Sequence, residues 1–238
     1  MDGKIAYFQA LSLSDYPGKL AALVFFAGCN LRCPFCYNPE LVLPELAEKL
    51  PPIHPEEVLQ KLSERQGFLD GVVLTGGEPT LSPELPKFVC ALKNLGFLVK
   101  LDTNGTNPHM LRELLSAELL DYVALDIKAP FPRYPEYIGL PEAGKVVEAV
   151  KESFSLLLEL APDYEVRTTV APGLSPSDLI SIAKDLKGAK RYVLQPFVVP
   201  REKRLVDEAW RTRPALSPAE LRELLPGIRK IVPAGLRA

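Results

Sequence analysis

Apolar runs of strand length alternate with amphipathic stretches of helix length along most of the chain. This alternation is typical of repeated strand–helix units that build a parallel sheet. Strands are predicted over residues 20–27, 71–74, 97–101, 122–125, 165–170 and 191–194. Helices are predicted over residues 55–66, 83–95, 108–116, 142–160, 176–186 and 218–231. The pattern therefore predicts an α/β fold with six strand–helix repeats, an incomplete TIM-like barrel with a parallel sheet.

The end of the chain departs from this pattern. Residues 201–216 are polar and irregular, and a final helix follows them. We therefore expect a partial barrel over residues 1–200 and a C-terminal segment, residues 201–238, that packs on it. The only tryptophan, Trp210, lies in this segment. It either anchors the segment on the barrel or contacts a partner, and the sequence leaves both open.

Composition narrows the function classes. The chain has 238 residues, 47% of them hydrophobic, and a formal net charge of −2 with scattered Lys and Arg. Such a balance does not favour a nucleic-acid surface, and no apolar run approaches the length of a membrane span. Four cysteines without a secretory leader do not form a disulfide framework. We expect a cytoplasmic protein that acts on neither nucleic acid nor membranes.

Polar residues stand at the carboxyl ends of the predicted strands. Glu78, Asp102, Asp126 and Arg167 each follow or end an apolar run. In parallel barrels these ends face one mouth, so the four side chains and the loop after the first strand are expected to converge. A plainer reading is that the two aspartates only satisfy helix N-termini.

Three cysteines lie on that first loop with the spacing Cys-x3-Cys-x2-Cys: Cys29, Cys33 and Cys36. Structural zinc requires four ligands, usually in two short pairs, and the second pair is missing here. Three thiolates on one loop instead suit three corners of a cubic iron–sulfur cluster, with the fourth iron left open. The iron–sulfur interpretation is therefore favoured over zinc.

Three other candidate ligands are distant in sequence. Cys90 lies among apolar residues of a predicted helix and is expected to be a buried, inert thiol. His54 and His109 stand beside prolines at helix starts and are expected to be surface residues.

The cysteine spacing after Gly28, followed by Gly-Gly-Glu-Pro at 76–79, resembles the signature of the radical S-adenosylmethionine superfamily. Segments 15–18, 36–39, 101–105 and 125–128 are similar to glycyl-radical-enzyme activating proteins, in particular those of anaerobic ribonucleoside-triphosphate reductase. The resemblance covers most of the chain. It implies a [4Fe-4S] cluster on the three cysteines and S-adenosylmethionine as the second cofactor.

The resemblance also implies a reaction. One electron from a flavodoxin- or ferredoxin-type donor would cleave S-adenosylmethionine to methionine and a 5′-deoxyadenosyl radical. That radical would abstract a hydrogen from a glycine Cα of a partner glycyl radical enzyme, here an anaerobic ribonucleotide reductase.

Roles in binding the methionyl group follow from the same resemblance. Gly76, Gly77 and Glu78 would meet its ammonium, since glycine permits close backbone approach. Lys128 would pair with its carboxylate, although an isolated lysine is more often simply solvated.

Two further subsites are implied. Asp102, Thr103 and Asp126 would surround a monovalent cation next to the methionyl carboxylate. Arg167 and Val170 would bind the nucleoside.

Tyr37 would flank the adenine, where many relatives carry His, so the aromatic face is kept and the imidazole hydrogen bond is lost. Asp15 would contact the partner's glycine loop, or else would only form a turn with the Pro and Gly that follow it. The sixth strand ends in Gln195, where the pyruvate formate-lyase relative places a His nearby.

Two alternatives remain. The first is a radical enzyme acting on a small molecule, similar to 7-carboxy-7-deazaguanine synthase, which has Cys-Asp-Thr at its last cysteine to support magnesium; here Tyr37 and Asn38 follow Cys36. The second is a non-catalytic module in which an iron–sulfur cluster or zinc only supports folding or docking.

Overall fold

One eight-stranded sheet, ordered as in the chain, organises the computed structural model, which describes residues 3–237. The strands are β1 Ile5–Ser12, β2 Ala21–Phe26, β3 Gly71–Gly76, β4 Leu98–Thr103, β5 Tyr122–Asp126, β6 Tyr164–Val170, β7 Tyr192–Pro196 and β8 Ala234–Leu236. β1 runs antiparallel to β2, and every later pair is parallel. This architecture confirms the predicted α/β fold with an incomplete barrel.

The six predicted strands correspond to β2–β7, and the edge strands β1 and β8 were not predicted. β1 alternates buried and exposed positions at the sheet edge, so it lacks the continuous apolar run of a central strand. β8 is three residues long and partly buried, too short to produce a pattern.

Nine α-helices lie between residues 3 and 237. They are α1 Pro39–Val42, α2 Pro44–Ala47, α3 Pro55–Ser63, α4 Leu85–Asn94, α5 Pro108–Ser116, α6 Tyr134–Ile138, α7 Gly144–Leu160, α8 Pro176–Asp185 and α9 Pro218–Arg229. The six predicted helices are α3, α4, α5, α7, α8 and α9, with ends shifted by a few residues. None of the helices in this part of the chain is both long and apolar enough to cross a membrane.

Strand alternation separates two cores. The larger core lies between the sheet and the helices and contains most of the buried apolar side chains. A smaller one is formed by alternate residues of the strands, Ala21 and Leu23 of β2, Val73 of β3, and Tyr122 and Ala124 of β5. Because side chains on one face of a strand are two residues apart, the next inward residue of β5 is Asp126. The inner face therefore changes from apolar to charged toward the carboxyl ends of the strands.

The prediction that Cys90 is buried was wrong. α4 buries Leu85, Phe88, Val89 and Leu92, the stripe of a helix packed on one side. Cys90 lies off this stripe and is exposed. His54 and His109 are exposed, as expected.

The C-terminal segment contacts the cysteine loop directly. The backbone amides of Val206 and Asp207 donate to the carbonyls of Cys36 and Pro34, both at 2.9 Å. Trp210 is 3% exposed, and its ring centroid lies 5.9 Å from that of Phe35 on the loop. Of the two roles considered for Trp210, the structure favours anchoring.

Candidate functional site

A cavity of about 670 Å³ opens at the carboxyl ends of the parallel strands. It brings together thirteen of the residues predicted for the site: Asp15, Cys29, Cys33, Cys36, Tyr37, Gly76, Gly77, Glu78, Asp102, Thr103, Asp126, Lys128 and Arg167. Val170 is the exception, since its side chain is fully buried in the core on the helix side of the sheet. Its neighbour Thr169 lines the cavity instead, as strand alternation requires.

The cysteine loop follows β2 and carries three free thiols. Cys29 and Cys33 are buried, and Cys36 is partly buried. Burial raises the pKa of Cys29 to about 11 and that of Cys33 to about 12. Without a metal these thiols stay protonated at neutral pH, so binding a cluster must release protons.

These thiols fit an iron–sulfur cube. Within residues 3–237 no three His, Cys, Asp or Glu side chains lie close enough together to hold a single metal ion. In a cube each thiolate binds a different iron, so the sulfur atoms need not converge on one point. Three cysteines at the cavity wall supply three such corners.

The glycine turn after β3 supports this loop. The amide of Gly77 donates to the carbonyl of Phe26, and the amide of Glu78 donates to that of Gly28, both at 2.8 Å. A Cβ on Gly77 would lie 2.1 Å from the carbonyl oxygen of Gly28. Glycine is required here because the turn lies directly against the backbone that precedes Cys29.

Glu78 joins this turn to the loop after β4. It is 1% exposed, and its carboxylate accepts hydrogen bonds from the hydroxyl of Thr80 (2.5 Å), the hydroxyl of Thr103 (2.7 Å) and the amide of Asn104 (2.7 Å). Burial is the largest influence and raises the pKa of Glu78, while these donors oppose it. The carboxylate thus fixes the relative position of two loops that line the cavity.

Arg167 bridges the two strand-end aspartates. Asp126 and Arg167 are paired in register on β5 and β6, and Nε lies 2.8 Å from Oδ1 of Asp126. The Nη1 atom of Arg167 lies 3.3 Å from Oδ2 of Asp102, and Lys128 Nζ lies 3.1 Å from Oδ2 of Asp126. Burial alone would raise the pKa of Asp126, but Arg167 and Lys128 hold it well below its usual range. The pKa of Asp102 is lowered as well, so both aspartates are anionic at neutral pH.

Sequence reasoning missed two residues near the site, Lys100 behind the cavity wall and Asn104 on it. Lys100, two residues before Asp102 on β4, is fully buried and donates to its carboxylate. Asn104 places Nδ2 3.8 Å from the sulfur of Cys29. Strand alternation could have indicated Lys100, because it must share the inner face with Asp102. No local pattern marks Asn104 as a neighbour of the thiol 75 residues away.

The remaining predicted residues lie at the opening. Tyr37 is 42% exposed and lines the cavity next to Cys36. Asp15 lies on the loop after β1, and its carboxylate accepts a hydrogen bond from Ser12. Gln195, at the end of β7, also lines the cavity.

Comparison with known proteins points to one superfamily. The sequence profile of the Radical SAM superfamily matches residues 23–186. A protein of Methanocaldococcus jannaschii named as a glycyl-radical enzyme activating enzyme is 36% identical over 220 residues, covering 90% of this chain and 87% of the relative. Pyruvate formate-lyase-activating enzyme of Clostridium pasteurianum is 28% identical over 205 residues, 82% of each chain.

Other relatives carry different names. A 7-carboxy-7-deazaguanine synthase of Methanopyrus kandleri is 37% identical over 168 residues, covering 58% of this chain and 66% of the relative. Among solved structures, Streptococcus suis SuiB bound to S-adenosylmethionine aligns with a TM-score of 0.67 at 13% identity, covering 88% of this chain and 48% of SuiB. At that identity the structural match supports the fold.

Proposed function

Because the chain belongs to the radical S-adenosylmethionine superfamily, we propose that it activates a glycyl radical enzyme. The observation that carries the proposal is that one cavity joins three free thiols on one loop to a cluster of charged side chains on three strands. The relatives named as activating enzymes align over most of this chain, which supports that reaction class.

The three thiols would hold a [4Fe-4S] cluster and leave one iron open to the cavity. With S-adenosylmethionine bound, the cluster supplies one-electron cleavage to methionine and a 5′-deoxyadenosyl radical. The residues of the chain then bind and orient the cofactors and exclude water. Trp210 and the segment around it pack on the cysteine loop and would help to shield a bound cluster from water.

Charged residues would orient the methionyl group. Lys128 and Arg167 present positive charge that suits its carboxylate. The backbone of Gly76 and Gly77, which no side chain shields, suits its ammonium on the β3 side. Tyr37 would stack on the adenine, and the end of β6 near Arg167 would hold the ribose.

The partner would present its glycine at the cavity opening, next to Asp15. We assign anaerobic ribonucleotide reductase as this partner, on the similarity of segments 36–39 and 101–105 to its activating proteins. A flavodoxin or ferredoxin would supply the electron.

The first test is anaerobic turnover of the reconstituted protein reduced with dithionite. We expect 5′-deoxyadenosine and methionine as products, and a glycyl radical signal by electron paramagnetic resonance after addition of the reductase. A reductase whose radical glycine is replaced by Ala should give no such signal. Absence of S-adenosylmethionine cleavage with a fully loaded cluster would refute the proposal and favour a non-catalytic module.

A second candidate is synthesis of a small molecule, because relatives named 7-carboxy-7-deazaguanine synthase reach 37% identity. Position 38 is Asn rather than the threonine of the Cys-Asp-Thr pattern, and Tyr37 replaces its aspartate. The two candidates differ in what they need: accumulation of 7-carboxy-7-deazaguanine in cells that express the protein, and no radical on the reductase, would support the second.

A further inference from the structure

The two strand-end carboxylates have protein donors on all four oxygens. Asp102 accepts from Lys100 on Oδ1, and its Oδ2 accepts from the Thr75 hydroxyl and lies 3.3 Å from Arg167 Nη1. Asp126 receives Arg167 Nε on Oδ1 at 2.8 Å and Lys128 Nζ on Oδ2 at 3.1 Å. Each carboxylate oxygen therefore already has a protein donor within 3.3 Å, and a metal ion would have to share it with that donor.

Thr103, the third residue expected at a cation, is also engaged. Its hydroxyl donates to Glu78 at 2.7 Å and accepts from the amide of Gly105 at 3.1 Å. The residue is 3% exposed. A cation that coordinated this oxygen would have to share it with both hydrogen-bond partners.

The charge balance opposes a metal ion as well. Three cationic side chains, Lys100, Arg167 and Lys128, contact two carboxylates. The nearby Glu165 is paired with Arg237 at 2.7 Å, and Glu78 is bonded by neutral donors on the turn after β3. A monovalent cation added next to Asp102 and Asp126 would enter a group that already carries one excess positive charge. These residues do not fit the cation that the sequence resemblance implied.

Lys100 supplies the positive charge that neutralises Asp102. Its side chain is 0% exposed and lies beneath Asp102, which is 15% exposed. Its ammonium is 5.9 Å from the centroid of the Tyr122 ring, within reach of a cation–π contact. Burial lowers the pKa of Lys100 and alone would raise that of Asp102; their contact opposes both effects, and together with Arg167 it holds the pKa of Asp102 below its usual value.

We propose that Lys100 is a built-in cation, which stands on Asp102 in place of a monovalent metal ion. Because Lys100 neutralises Asp102 from behind the wall, Arg167 and Lys128 on the wall leave a positive surface that binds the carboxylate of S-adenosylmethionine without Na⁺ or K⁺. This inference rests on the proposed function for the identity of the ligand. The argument from charge depends only on the side chains of the protein and not on the identity of the ligand.

The test compares the wild-type holoprotein with Lys100→Met, whose side chain has similar length and no charge. Binding of S-adenosylmethionine is measured anaerobically by calorimetry in NaCl, KCl or tetramethylammonium chloride at equal ionic strength, so that screening is constant. The wild-type dissociation constant should agree within about twofold among the three salts. Lys100→Met should bind about tenfold more weakly in tetramethylammonium and recover in Na⁺ or K⁺.

A control and a second readout complete the design. Lys93→Met removes an ion pair with Asp121 (2.6 Å) outside the cavity and should show no salt preference. The melting temperature of the cluster-free proteins gives an independent measure: only Lys100→Met should melt higher in Na⁺ or K⁺ than in tetramethylammonium.

The outcomes separate the two proposals. Wild-type affinity that falls more than about fivefold in tetramethylammonium would overturn the inference, as would a Lys100→Met protein indifferent to the cation in both readouts. If that variant does not fold, the wild-type comparison decides. If the wild type binds no S-adenosylmethionine in any salt, the proposed function fails, and the melting temperatures still test the built-in cation.

Discussion

Replacing Gly77 by Ala tests whether the glycine turn positions the cysteine loop. The new Cβ would lie 2.1 Å from the carbonyl oxygen of Gly28, and real Cβ atoms essentially never approach closer than 3.0 Å. Both sides of the contact are backbone, so a shift of about 1 Å is needed. Such overpacking costs about 1–3 kcal/mol. Weakening the hydrogen bonds of Gly77 to Phe26 and of Glu78 to Gly28 adds about 0.5–1.5 kcal/mol.

The expected loss in the free energy of unfolding is therefore about 2–4 kcal/mol. It is measured by urea denaturation of the cluster-free, reduced protein. The iron and sulfide content after reconstitution shows whether the cysteine loop can still hold a cluster. Gly144→Ala is the matched control: it starts α7 with open space around its Cβ and should gain about 0.4–1 kcal/mol. If Gly77→Ala unfolds within about 0.5 kcal/mol of wild type and loads a full cluster, the contact does not support the loop.

Three other predictions follow from the site. Cys33→Ala removes one thiol and should abolish S-adenosylmethionine cleavage while far-ultraviolet circular dichroism stays unchanged; an active variant would contradict the cluster assignment. Arg167→Met removes a buried guanidinium, leaves two partly buried carboxylates short of a partner and should cost about 3–5 kcal/mol of unfolding free energy. Arg112→Met, which loses only an exposed pair at 3.6 Å, should cost under about 1 kcal/mol, and equal losses would contradict this. Burial raises the pKa of the Cys29 thiol from 9.0 to about 11 in the folded, cluster-free protein. The free energy of unfolding should therefore hold its value below pH 9 and fall as pH rises toward 11, because the thiol of the unfolded chain ionises first. A variant with all three loop cysteines replaced by Ser should lose less free energy of unfolding over that range.

The central fold could be predicted because its signals are local. β2, β3 and β5 are largely buried and contain continuous apolar runs, and proline stands at the first turn of α3, α5, α8 and α9. β1 and β8 form only because a neighbouring strand offers hydrogen-bonding groups. Pairing with a distant strand is not visible in the local sequence, so the edge strand β1 and the three-residue strand β8 could not be predicted from the hydrophobic pattern.

The site divides in the same way. The cysteines and the strand-end acids could be predicted because the spacing of the thiols and the end of each apolar run are visible in the sequence. The partners of those groups could not be predicted: Glu78 is held by residues 25 and 26 positions later, and Trp210 packs on a loop 175 residues earlier. Cys90 shows the opposite error, since apolar neighbours in sequence did not place it on the buried face of α4.

The inward position of Lys100 could have been predicted from the sequence by following the alternation of side chains along β4. If Asp102 faces the barrel interior, then residue 100 must face it too, because alternate side chains of a strand share a face. A lysine in that position lies two residues deeper in the interior than the aspartate. Solvent is excluded there, and an unpaired ammonium would be very costly. The next residue on the same face of its strand is Asp102, and Lys100 pairs with it. That pairing neutralises the carboxylate of Asp102, which would otherwise attract a metal ion. A single position of the strand thus decides whether the end of β4 binds a cation or helps to bind an anion.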